Sequence, residues 1–223
     1  MAEPTSDSSL NIRSLILVPA VITLGITLLR LVGELEHWSP RFFSPAPGGG
    51  MAVIGISWLP FFLGPYFAVK LAHSGDGDFS VWKTFGLSVL GFAIMIAGGL
   101  VGFGPKFHFP GRAIVGLVLI AVAPLLVNSA WPALFRVLVA YGYAARIPVA
   151  ILMAFAIHGH WGTHYDVVPP NYAGPEAFFG KYMLIAFLPQ MVVWIAFTVL
   201  VGALFGSLVT AVMVRDKPVA VTP

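Results

Sequence analysis

The amino-acid sequence predicts an all-α bundle of membrane-spanning helices, about six in number and several of them kinked by proline. Three observations lead there. Only 9 % of the 223 residues are charged and 58 % are hydrophobic, whereas a soluble domain carries roughly 25 % charge. The apolar residues fall in continuous runs rather than in the segments of about ten alternating residues that mark a β-barrel. The runs also match the length a helix needs to cross hydrocarbon roughly 30 Å thick, about 20 residues. In lipid a helix is the open-ended solution, because every backbone N–H and C=O must be satisfied within its own segment.

The elements follow in order. Residues 12–34 form the first run, closed by Glu34 and Glu36. The acidic residues Glu3 and Asp7 ahead of it, and its length, predict an uncleaved span rather than a signal peptide. A second span, 51–72, is entered through the SPAPGGG stretch at 44–50, and a third, 82–103, follows the HSGDGD turn at 73–78. The GFGPKFHFPGR loop at 102–112 leads to a fourth span, 113–130, and Trp131-Pro132 to a fifth, 133–158. The last run is stopped by Arg215-Asp216-Lys217. From about 180 it is too long for one perpendicular crossing, since 34 residues would reach roughly 50 Å. Pro189 is expected to divide it, leaving a span over 183–214. Six spans and their loops use nearly the whole chain as one membrane domain, with no soluble domain expected.

Proline also sits inside the spans at Pro19, Pro60, Pro65, Pro124 and Pro148, each removing a donor and freeing a carbonyl one turn back. The pairs Gly98…Gly102 and Gly202…Gly206 are small-xxx-small matches that permit close helix approach; internal packing is expected of them rather than a dimer interface. There is no internal repeat, and no cysteine to form a disulfide, a thiolate zinc site or an iron–sulfur cluster. The net charge of +3 without a basic run gives no reason to expect nucleic acid.

Six spans place the three loops 1–2, 3–4 and 5–6 on one face, with His37, His108, His158, His160 and His164 in or beside them and His73 opposite. Lysine and arginine are nearly balanced, six on the terminal side against five on the other. Arg215 and Lys217, directly after the last run, favour cytoplasmic termini. The compact loops suggest a bacterial inner membrane, with the lipid bilayer as the main partner.

Two polar features need a reason. The segment His158-Gly-His160-Trp-Gly-Thr-His164-Tyr-Asp166 is the densest polar chemistry in the chain. Imidazole and carboxylate together suit a transition metal such as zinc, copper or iron, so His158, His160, His164 and Asp166, with His37 and His108 from neighbouring loops, are candidate ligands. His160 and His164 are four apart, the spacing that aligns residues on a helix, but Gly159 and Gly162 interrupt one, and Trp161 stands where an HExxH motif has glutamate. The competing reading is an interfacial cap of amphipathic His, Trp and Tyr side chains.

Arg146 is the second feature. It lies near the middle of the fifth span, where an arginine costs roughly 2.5–3.5 kcal/mol to insert, and no Asp or Glu shares that depth. Helical spacing sets Arg136, Tyr143, Arg146, Ala150 and Met153 in one stripe. Gln190 is the expected polar partner of Arg146, and Asn128 that of Arg136. Arg146, Tyr143, Gln190, Arg136 and Asn128 are therefore candidate ligand-binding residues for an anion. The alternative is an arginine bonded only to backbone carbonyls, including those freed by Pro148 or Pro189.

Three function classes follow. A transporter-like protein for a small anionic solute, expected as a homo-oligomer, and an accessory subunit of a larger membrane complex rank together. A metal-dependent membrane enzyme using the histidine loop stands behind them. The chain carries no nucleotide-binding loop, serine triad or haem-attachment motif.

Overall fold

In the computed structural model, which describes residues 11–49, 52–75, 78–170 and 172–213, many polar side chains turn inward and many apolar ones outward. Thr23, Thr27, Arg30, Glu34, Ser88, Arg146, Gln190 and Ser207 are buried, while Leu17, Val18, Ile96, Ile114, Phe155 and Val212 are more than half exposed. Water would reward the opposite arrangement; hydrocarbon rewards this one, because apolar side chains lose nothing there and polar groups must find partners inside.

The described residues are helical, with no strand among them. Helix α1, Ile12–Leu35, begins at Asn11, whose side-chain carbonyl accepts the Arg13 backbone N–H at 2.9 Å. Helix α2, Pro60–Ser74, has proline at its first position and ends at Gly75, where φ of 70° requires glycine. Helix α3 runs over Val81–Phe103 and is capped by Ser80. Helix α4, Arg112–Asn128, bends at Ala123-Pro124. Helix α5, Pro132–Gly159, carries Pro148, and α6 is a single helix over Phe178–Met213.

Four of these, α1, α3, α5 and α6, are long and apolar enough to cross a membrane, which fits an integral membrane protein. Two elements differ from expectation. Residues 52–59 of the anticipated second span are turns packed beside Arg30 (a Cβ on Gly55 would meet its Nη1 at 2.9 Å), and the helix starts only at Pro60. Its 15 residues reach about 22 Å. Pro189 does not divide the last helix either. Two π turns, Met183–Phe187 and Pro189–Val193, lie either side of Leu188, the second beginning at Pro189. The Leu188 N–H reaches back five residues to the Met183 carbonyl and the Trp194 N–H to that of Pro189. The wider turn absorbs the missing donor that would otherwise break the helix.

Helix α6 is the hub: it lies along α2, α3 and α5, while α4 packs on α3 and α1 chiefly on α5. Phe67, Trp131, Leu134, Leu138, Tyr141 and Leu200 form the fully buried centre. Glycine sets the closest crossings. Gly64 of α2 rests on the Gly202 backbone of α6, with Gly206 against Gly64 and Ala68, and Gly116 of α4 rests between Gly98 and Gly102 of α3. Both small-residue pairs are thus spent inside the bundle. At one end Ser80 N–H donates to the Ala130 carbonyl and Lys83 Nζ to that of Ser129. The described residues of the loops 36–59, 104–111 and 160–177 gather at the other end.

A Cβ on Gly64 would overlap the Gly202 carbonyl, whereas one on Gly99 meets nothing within 4 Å. Gly64→Leu is expected to cost about 1–3 kcal/mol, seen as a lower thermal-unfolding midpoint in detergent, with Gly99→Leu close to wild type. Equal midpoints would contradict the assigned crossing.

Candidate functional site

The gathered loops and the inner faces of α1, α4, α5 and α6 enclose a cavity of about 930 Å³. Arg30, Arg112 and Arg146 all line it, so its walls carry three guanidinium groups. They are not equivalent.

Arg30, one turn from the end of α1, is paired with a carboxylate and tied to the first loop. Its Nε donates to Glu34 Oε1 at 2.8 Å, and its Nη2 to the carbonyls of Ser44 at 3.1 Å and Gly49 at 2.9 Å. Arg112 staples the 3–4 loop, its Nη1 donating to the carbonyls of Gly104 and Phe107 at 2.6 and 2.8 Å. Arg146 is 5 % exposed and makes one long hydrogen bond, Nη1 to Gln190 Oε1 at 3.3 Å. Its guanidinium carbon stands 4.4 Å from the Trp194 ring centre, a cation–π contact. Among the described residues no carboxylate and no backbone carbonyl accepts from it. A guanidinium offers five N–H donors, and those left over open onto the cavity.

The local sequence explains this placement. Gln190 sits in the π turn after Pro189, which widens the helix and turns its amide toward α5. The same amide donates from Nε2 to Met153 Sδ at 3.6 Å. Trp194 follows Gln190 by four residues and shares its face. The expected Arg146–Gln190 partnership is present. The proposed stripe is not: Arg146, Ala150 and Met153 are buried, but Arg136 and Tyr143 are exposed, because the edge of the buried face runs through the arc that these five residues span. Asn128 and Arg136 are both exposed and make no hydrogen bond to each other among the described residues.

The histidine segment separates into different roles. The α5 helix stops at Gly159, and His160 takes the left-handed capping position with φ of 51°, so it is not aligned with His164. His158 is exposed, its ring edge-on to Phe178. Asp166 is turned inward on its own loop, where its carboxylate accepts the Gly162 and Thr163 backbone N–H groups and the Thr163 hydroxyl. His37 and His108 are exposed on their separate loops. Among the described residues no three His, Cys, Asp or Glu side chains are grouped as metal ligands.

His164 does something the sequence did not announce. Its backbone N–H donates to Glu34 Oε2 at 2.8 Å, and its Nδ1 lies 2.6 Å from Glu34 Oε1, close enough to pair although off the line of a straight hydrogen bond. Next to it, the Tyr165 hydroxyl donates to the Thr27 carbonyl of α1 at 3.2 Å. Only the i,i+4 spacing of Arg30 and Glu34 could have pointed to this knot; its third member is 130 residues away. No family model, no curated protein and no solved structure matches the chain.

Two outcomes are expected at the knot. Glu34→Gln leaves the buried Arg30 without its counter-charge, a loss of about 3 kcal/mol, read as faster hydrogen exchange over 163–167. Burial pushes the His164 imidazole below the ordinary histidine value, against the upward pull of Glu34, with Arg30 lowering it and Asp166 raising it. A group whose pKa is lower folded than unfolded gains a proton when it undocks. The loop's seat is therefore firmest above the unfolded value, about 6.5, and loosens as the pH falls below it. Exchange over 163–167 that is the same at pH 8 and pH 5 would contradict this.

Proposed function

We propose that this chain is a six-span membrane protein that binds a small anionic solute in the cavity, with Arg146 as its charge partner, in the manner of a transporter. One observation carries the reading: Arg146 is a buried cation with no carboxylate partner among the described residues, and it faces a space large enough for a ligand. A buried charge is tolerated when something pairs with it, and an anion in the cavity would do so. Gln190 and Trp194 hold the guanidinium in place without neutralising it, which leaves its charge for a guest. Among the described residues the histidine loop has no gathered ligand set behind it, and Arg146 is what favours the anion reading.

Six crossings require α2 and the 17-residue α4 to span as well. Both are short for hydrocarbon roughly 30 Å thick, and local thinning or the flanking loops would make up the difference. The termini are placed in the cytoplasm, although Arg215 and Lys217, which favour that side, lie outside the described residues.

The chain contains no cysteine, so single cysteines report cleanly. Cysteine at positions 39, 108 and 160 should be labelled from one side of the membrane by an impermeant thiol reagent, and at 74 and 129 from the other. Labelling of 74 and 39 from the same side would remove the second span. Anion binding by the reconstituted protein should weaken about 10- to 100-fold in Arg146→Ala, the worth of one charged hydrogen-bonding group, and persist in His160→Ala. The reverse pattern would refute the assignment.

A further inference from the structure

A second, smaller cavity of about 380 Å³ adjoins the first. Trp58, Phe61, Met95 and Phe197 line it, and it shares Ser57 and Trp194 with the main cavity. Trp194 is therefore common to both: it stacks on the Arg146 guanidinium and borders an aromatic, apolar space. Trp58 and Phe61 are 42 % and 36 % exposed, and Met95 and Phe197 lie well inside α3 and α6, so this second space borders the outer surface of the bundle, where lipid chains would lie, beside the loop residues Ser57 and Trp58.

The pairing of a lone deep cation with an apolar side chamber selects among anions. An inorganic anion would leave the aromatic chamber and most of the main cavity unfilled, and would give up its hydration for a single guanidinium. A dicarboxylate would find a second cation in Arg112, which is bonded only through Nη1 to two loop carbonyls, but it would leave the aromatic chamber unfilled. An anion with one charged head and an apolar chain matches both parts at once: the head on the free N–H groups of Arg146, the chain past Trp194 into the aromatic chamber. We infer that the ligand is an acyl-chain amphiphile with a single anionic head, admitted from the bilayer between α2, α3 and α6. This rests on the anion reading above and narrows it to a substrate class.

The test uses the full chain in nanodiscs of zwitterionic lipid, with 12-bromododecanoate as the probe, because bromine quenches a nearby indole. The terminal bromine is expected to quench Trp58, so part of the quenching disappears in Trp58→Phe. Arg146→Gln should weaken the probe about tenfold or more, the worth of a charged pair in an apolar site. In the unaltered protein, each methylene removed from the unbrominated competitor series should weaken binding about three- to fourfold. Competition by an anionic diacyl lipid built into the disc would identify a membrane lipid as the source, and its failure to compete would identify a free single-chain acid; either agrees with the inference. Acetate or sulfate displacing an Arg146-dependent anion as well as dodecanoate does would overturn the inference while the anion reading stands. Quenching unchanged in Arg146→Gln would show simple partition into lipid and overturn both.

Discussion

One ion pair at the end of α1 governs the open end of the bundle. Arg30 and Glu34 face each other across one helical turn, and each uses its remaining capacity on a different loop. The guanidinium reaches the Ser44 and Gly49 carbonyls of the first loop; the carboxylate takes the backbone N–H and imidazole of His164 from the last. Two long connections, the first carrying a single 3-10 turn at Pro47–Gly49, are thereby seated on one element. An isolated surface pair of this spacing would contribute little. Here both members are buried, and the partners that surround them offset the cost of leaving water. The roof of the cavity is a consequence of that arrangement.

Below the roof the organising problem changes. A helix in hydrocarbon gains nothing by hiding leucine, so close contact must come from small residues and from polar groups that need partners. The crossing of Gly64 with Gly202 and that of Gly116 with Gly98 and Gly102 supply the first. Thr23, Thr27 and Ser88, each donating to a carbonyl four residues back, show the local form of the second. Arg146 departs from this economy, since among the described residues it holds a full charge with only an amide and an indole for company. The π turns beside it are part of the same departure, because a regular helix at Pro189 would turn Gln190 elsewhere.

Much of the architecture could be read from residue order alone, since long apolar runs in a charge-poor chain have few other solutions. The Arg146–Gln190 contact was legible for a related reason: polar side chains at one depth in lipid have few alternatives to each other. Three things were not legible. A proline normally signals a break, and nothing in the order of residues around Pro189 tells a break from a π turn. The start of α2 at Pro60 goes with Arg30 holding Ser44 and Gly49 and lying beside Gly55, contacts between separate parts of the chain. The histidine segment looked like one cluster because its members are close in sequence, yet a helix end at Gly159 and a turn closed by Asp166 send His158, His160 and His164 in three directions.

The peripheral seat of α1 bears on how the chain is made. Its hydroxyl link to the bundle runs from Thr23 to Tyr141, 118 residues further along, and α5 is its chief partner. A ribosome delivers α1 well before α5, so for that interval the helix stands in the bilayer without the surface it will finally rest on. The threonines on its inner face are provided for in that interval: Thr23 donates to the Pro19 carbonyl and Thr27 to that of Thr23. When α5 arrives, the Tyr141 hydroxyl has only to donate to an oxygen whose own proton is already placed. The first helix is thus built to wait for a partner that arrives more than a hundred residues later.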